Sequence, residues 1–234
     1  MKSNNVRKLA VGEDLYKLFG VKYFQADEKV VLQSPEGDLY SYEVFFGPQN
    51  VKVEKGDCAY TISDDKKTAW LHRGPASFKS AHIATVIRGY SPEEKSSTIV
   101  HGTNLPYVNG CSTRQIFSPE RPGDPTLQLL RIPPFASEQA HHIHSTARVV
   151  YVLGGFGHSV VGMRDKSVRT ELKPGMLCVL DKMCPHHFET QDEWLAVMPV
   201  HVWSSTGALE NDHPMYAGTF MMNQGASGGG DEQS

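Results

Sequence analysis

Two histidines separated by one residue, His142 and His144, stand in the stretch PPFASEQAHHIHSTARVVYVLGG, and a third, His186, follows Pro185 in LKPGMLCVLDKMCPHHF. In an extended chain residues i and i+2 share a face, so His142 and His144 present two imidazoles to one side. Two neutral imidazoles converging from one strand make half of a transition-metal site. An antiparallel neighbour that begins at His186 would supply the third. His187 has the opposite parity and is expected to point away. Arg148, four residues beyond His144, keeps the parity of the pair if the chain stays extended. A guanidinium cannot ligate a metal. Inside a barrel its charge needs a partner, and a substrate carboxylate held bidentately is one such partner. An internal salt bridge or a solvent-facing arginine is the plainer reading.

The elements that must position these residues read as strands. From about Lys29 the segments VVLQ, LYSYEVFF, VKVEKGD, KTAWLH and HIATVIRGY are rich in β-branched and aromatic residues and punctuated by turns. A short helix is expected around Glu13–Phe19. The polar stretch SPEEKSS (91–97) is the best candidate for a linker. Beyond His101 the segments STRQIF, TLQLLRI, ARVVYVL, HSVVGM, SVRTEL, MLCVL and EWLAVMPVHVW follow one another at even spacing, with Gly/Pro turns between them. That pattern predicts an antiparallel sandwich or barrel. By alternation in TLQLLRI, Gln128 and Leu130 are candidates to line its cavity, and Arg114 and Gln115 are further polar candidates near its mouth. Tyr151 falls on the face opposite Arg148 and is expected in packing or at a subunit contact. His201 can face the cavity or the exterior and His213 can cap the barrel mouth, but these two and His101 are read as structural or exposed rather than functional. The expected division is a β-rich region over 1–96, a metal-binding barrel over 97–222 and a flexible tail over 223–234.

The two histidine segments resemble the motifs of the cupin superfamily. The first cupin motif is G-x5-HxH-x3–4-E-x6-G, and here His142-x-His144 is followed by three residues, then Arg148, then six residues and Gly155. The second motif is matched more loosely, by a Pro174-Gly175 turn ahead of Pro185-His186. The resemblance covers roughly residues 100–205. It implies an all-β fold, a cupin-type antiparallel β-barrel or jelly roll with a β-rich N-terminal extension that can be a degenerate second cupin half. It also implies one divalent transition metal ion on His142, His144 and His186, with Fe first and Zn, Ni, Mn or Cu open. Arginine stands where the family carries glutamate, and the Pro-rich PPFASEQ replaces the first motif's leading glycine. A three-histidine set looks like that of the three-histidine cupins, among them thiol dioxygenases and a diketone-cleaving dioxygenase. Some sugar-phosphate isomerase cupins resemble Q-x-H-H here, which makes Gln139 and His141 second-tier site residues.

Function at this stage is a set of alternatives. The first is a mononuclear non-heme Fe(II) dioxygenase-type enzyme acting on a small anionic or oxygen-rich molecule, with Arg148 orienting it. The second is a non-oxidative Zn, Mn or Ni isomerase or lyase, and the third a small-molecule-binding cupin without activity. The chain's 234 residues, net charge of −3 and 39% hydrophobic content fit a globular protein. No basic cluster points to nucleic acid, and no apolar run is long enough to span a bilayer. The N-terminus lacks the apolar core of a secretory signal, so a cytoplasmic location is expected. The four cysteines form no CxxC pair and read as buried thiols. P-loop, Rossmann and HExxH motifs do not occur, and GASGG in the tail fits GxSxG only by chance. A homodimer through exposed sheet edges is the expected assembly.

Overall fold

The computed structural model describes residues 14–34, 40–99, 105–121, 123–163, 166–202 and 219–221. His101, His213 and the tail 223–234 lie outside the described residues. A short helix, α1 (Leu15–Phe19), leads through Gly20 into β1 (Val21–Phe24). The N-terminal half continues with β2 (Val30–Gln33), β3 (Tyr42–Phe46), β4 (Gln49–Val53), β5 (Cys58–Ile62), β6 (Thr68–Arg73), β7 (Ala76–Ser80), β8 (Ile83–Ile87) and β9 (Lys95–Thr98). The C-terminal half adds β10 (Leu105–Pro106), β11 (Ser112–Phe117), β12 (Thr126–Ile132), β13 (His142–His144), β14 (Ala147–Gly155) and β15 (Gly157–Val161). It ends with β16 (Val168–Leu172), β17 (Leu177–Leu180), β18 (His186–Glu189), β19 (Leu195–Val202) and β20 (Thr219–Met221).

These strands build four antiparallel sheets. A seven-stranded sheet runs β1-β17-β14-β19-β12-β11-β10 and a five-stranded sheet runs β16-β15-β18-β13-β20. A six-stranded sheet runs β2-β3-β8-β5-β6-β9, and β4 pairs with β7. The seven- and five-stranded sheets close on a core of Val21, Leu130, Ile132, Val150, Val152, Val161, Leu172, Cys178, Phe188 and Val197. They form an antiparallel two-sheet barrel. The opposite face of the seven-stranded sheet carries Leu127, Leu129, Val149, Tyr151, Val179, Met198 and Val200. These pack against Val44, Phe46, Tyr60, Ile62, Leu71 and Ile87 of the six-stranded sheet. The far face of the six-stranded sheet meets Val51, Val53 and Phe78 of the β4–β7 pair through Ala59, Ala84 and Val86.

The layers therefore stack as pair, six, seven, five, and the seven-stranded sheet is buried on both faces. This explains why TLQLLRI, ARVVYVL and LAVMPVHV are nearly continuous apolar runs rather than alternating ones. Hydrogen bonds from Tyr60 to the Pro125 carbonyl (2.9 Å) and from Tyr40 to Asp124 (2.8 Å) tie the N-terminal layers to the barrel. Tyr151 is buried in this inter-layer packing, and all four cysteines are buried and free.

Two findings differ from the expected division of the chain. Lys95–Thr98, read as part of a linker, is strand β9 and pairs with β6. Its residues alternate between exposed and half-buried because it is an edge strand with one face in water, which gives it a polar composition. The boundary at 96/97 thus falls inside a paired strand. In addition, β1 belongs to the barrel sheet rather than to the N-terminal layers, pairing with β17 from Val21↔Leu180 to Phe24↔Leu177.

Gly155 closes β14 in the left-handed region (φ 73°), and an added Cβ would fall onto the carbonyl of Trp194. Gly155→Ala is expected to cost more than about 1 kcal/mol, from backbone strain plus this clash. Gly56→Ala, also at positive φ but with open space around it, should cost less. Urea unfolding of the two variants against the parent measures the difference.

Candidate metal centre

His142 and His186 face one another across the β13–β18 register, and His144 joins them from two residues along β13. All three are buried. One ring nitrogen from each lies within 4.8 Å of those of the other two, and this is the one such group of three among the described residues. The rings are oriented by the main chain. His142 Nδ1 donates to the Ala140 carbonyl and His186 Nδ1 to the Cys184 carbonyl, each at 2.7 Å and each two residues back. Those bonds put the proton on Nδ1 and leave Nε2 unprotonated, the tautomer a metal ligand needs. His142 Nε2 then lies 2.7 Å from His144 Nε2. Two lone pairs so close repel unless a proton or a cation sits between them.

The surroundings keep the His142 and His186 rings neutral. Burial first, then the charge of Arg148, pushes the His142 imidazole down to about 3. Burial, then His142 and Arg148, holds His186 well below its ordinary value. His142 and His186 are therefore neutral at neutral pH, and a cluster of three imidazoles fits a divalent transition metal.

Arg148 is buried on the inner face, with Nη1 3.3 Å from His186 Nε2 and its Nε without a partner. Burial pulls the guanidinium down to about 9, offset in part by Glu138 and Tyr107. Glu138 is itself buried. Desolvation raises its carboxyl above the usual range against the pull of Arg148, and its Oε1 accepts a 3.3 Å bond from the Phe188 amide. The segment leading into the centre is braced by the N-terminus: Asp181 N bonds the Gly20 carbonyl, and Met183 N bonds the His144 carbonyl.

The other candidates divide between the two sides of the sheets. His141 does not join the group. Its Nδ1 lies 2.8 Å from His187 Nδ1, on the outer side of the five-stranded sheet, where His187 also contacts Glu189. Gln139 is buried, and neither end of its amide has a partner. Gln128 and Leu130 both face inward, Leu130 as part of the apolar core. Gln115 pairs with Gln128 on that face, whereas Arg114 turns outward to the Thr98 carbonyl and Ser97.

Two residues of the interior were not among the site residues read from the sequence. His201, taken as structural or exposed, is buried directly across from Arg148 in the β14–β19 register. Its inward parity follows from Arg148 only once that register is known. Glu138, adjacent to Gln139, is a buried carboxyl in electrostatic reach of Arg148, but its position depends on the Ser137↔Glu189 bridge, which no local pattern announces.

No protein-family model and no curated protein sequence matches the chain. Among solved structures it is similar to the polyketide cyclase RemF from Streptomyces resistomycificus, at 22% identity over 44% of this chain and 70% of that one, with a TM-score of 0.35. It is also similar to a variant of Bacillus subtilis oxalate decarboxylase OxdC, at 8% identity over 78% and 77% of the two chains, with a TM-score of 0.47. A cupin 2 conserved barrel domain protein from Leptotrichia buccalis is similar at 12% identity over 76% and 91%, with a TM-score of 0.44.

Proposed function

We propose that the chain is a mononuclear metal-dependent cupin enzyme, with His142, His144 and His186 as ligands and Arg148 as the residue that binds and orients a small anionic substrate. The observation that carries this reading is the pair of Nδ1-to-carbonyl bonds that leave Nε2 of His142 and of His186 unprotonated within a cluster of three imidazoles, beside a buried guanidinium that donates to His186 Nε2. Three neutral imidazoles contribute no charge, so a divalent ion would stand next to the cation of Arg148 uncompensated by its own ligands. Glu138 is the carboxyl within electrostatic reach, and burial favours its neutral form. An anion from outside is what balances such a centre. When bound, a divalent metal supplies Lewis acidity and, as Fe(II), the capacity to react with dioxygen. We read the chemistry as oxygen-dependent, the three-histidine set resembling that of three-histidine dioxygenase cupins. Arg148 would hold a carboxylate or enolate oxygen, and the apolar wall of Val150, Val152 and Val197 would exclude bulk water.

His142→Ala or His186→Ala should each abolish stoichiometric metal binding, while His187→Ala, on the outer side, should retain it. Elemental analysis of the purified variants decides, and metal retained in both of the first two sinks the ligand assignment. Oxygen uptake across a panel of small acids, thiols and diketones should be metal-dependent and should fall at least about tenfold in Arg148→Leu with metal content unchanged. Turnover that proceeds equally without oxygen would instead establish the non-oxidative reading.

The depressed imidazoles also set a stability profile. The unfolded chain takes up protons on histidine below about 6.5, whereas folded His142 resists protonation down to about 3, and His201 is depressed by burial and Arg148. Protons therefore favour the unfolded state, and the metal-free protein should lose stability as pH falls through this window. His201→Phe should flatten that slope in urea titrations taken at successive pH values.

A further inference from the structure

The inner face of the seven-stranded sheet is divided along its strands. Toward one end it carries the apolar core residues Leu130, Ile132, Val152 and Val197. Toward the end that faces the three imidazoles it carries Gln115, Thr126, Gln128, Arg148 and His201. Their adjacency follows from the register. Thr126 pairs with His201, His201 pairs with Arg148, and Gln115 pairs with Gln128. Side chains directly opposite on neighbouring antiparallel strands are in contact range, so these five make one continuous polar patch.

Thr126, Gln128, Arg148 and His201 are 1%, 2%, 5% and 3% exposed. Thr126 Oγ1, Gln128 Oε1, Arg148 Nε, His201 Nε2 and Gln115 Nε2 each lack a hydrogen-bond partner within the protein. Buried polar groups are paired as a rule, and unpaired ones each cost the desolvation of the group. Five in one patch, beside a candidate metal centre, mark a surface whose partner comes from outside the chain. The backbone is also altered there. Pairing between β12 and β19 skips Gln128 and Leu129, opposite Pro199, which has no N–H to donate.

The chemistry of the orphaned atoms selects the partner. Arg148 Nε and Gln115 Nε2 are donors only and suit anionic or carbonyl oxygen. Gln128 Oε1 is an acceptor only, so a carboxylate cannot satisfy it, and an O–H or N–H must. Thr126 can do either, and neutral His201 presents one donor and one acceptor nitrogen. A ligand that meets all of them carries anionic oxygen together with at least one hydroxyl.

We propose that Gln115, Thr126, Gln128 and His201 form, with Arg148, a second subsite that selects a small hydroxylated carboxylate over the same acid without its hydroxyls. This inference rests on the reading of the barrel interior as a substrate site, but its hydroxyl contacts come from β11, β12 and β19 rather than from the three imidazoles.

The test is calorimetric binding of glycerate and of propanoate, which share a carbon skeleton and a carboxylate and differ in two hydroxyls. It is run on metal-loaded and on metal-free protein. Glycerate should bind at least about tenfold more tightly than propanoate in both forms, and the ratio should fall toward one in Gln128→Leu and in Thr126→Val, with metal content unchanged. The milder Gln128→Glu, which keeps an acceptor, should retain part of the preference and shows whether the leucine variant has merely lost its fold. Equal affinities in the parent protein, no measurable binding of either acid, or a ratio that survives both substitutions overturns the subsite. Failure to load metal would overturn the ligand assignment alone, because the glycerate preference is read in the metal-free protein as well.

Discussion

The antiparallel pairing of His142 with His186 is the contact on which the rest of the centre depends. It places two imidazoles side by side from strands more than forty residues apart, and each ring is then locked by a bond to a carbonyl two residues earlier in the chain, just ahead of its strand. The lock is local, costs the fold nothing beyond an ordinary hydrogen bond, and fixes which nitrogen is bare. A slip of one residue in the register would turn His142 outward and bring His141 in. That alternative is opposed by the outward pairing of His141 with His187 and by the burial of His144 and Phe188 on the inner face. Metal competence in this chain is thus a property of strand register before it is one of histidine content.

The cationic side chain beside the imidazoles gives the centre its character. In a barrel whose ligands include a carboxylate, that group balances part of a metal's charge. Here Arg148 adds to it, and burial weakens the charges of Arg148 and Glu138 alike. Under the proposed function, such an arrangement would favour anions from solution over neutral ligands of the same shape, with charge complementarity contributing to specificity alongside the contour of the walls.

Much of this was legible in the sequence, and for identifiable reasons. TLQLLRI, ARVVYVL and MLCVL announce themselves because a sheet covered on both faces needs apolar side chains at every position. The parity rule placed His142, His144 and Arg148 inside and His187 and Tyr151 outside, because it requires only that each strand stay extended. What was hidden depends on partners distant in the chain. The membership of β1 in the barrel is decided by its pairing with β17, and the edge strand β9 reads as a polar connector because water covers one of its faces. His201 and Glu138 took their place only with the cross-strand registers: His201 lies in an apolar strand that fixes no facing by itself, and Glu138, though adjacent to Gln139 and close to His142, precedes the strand whose parity orders those residues.

The seven-stranded sheet belongs to two cores at once, one shared with the five-stranded sheet and one with the N-terminal layers. The N-terminal half is therefore no detachable appendage. A fragment starting near β10 would present the outward side chains of β12, β14, β17 and β19 to water as a broad oily wall and would also lack the strand that props the approach to His186. Recombination, truncation or drift that loosens the first hundred residues would be felt as misassembly of the barrel, so the two halves of this chain must be inherited together.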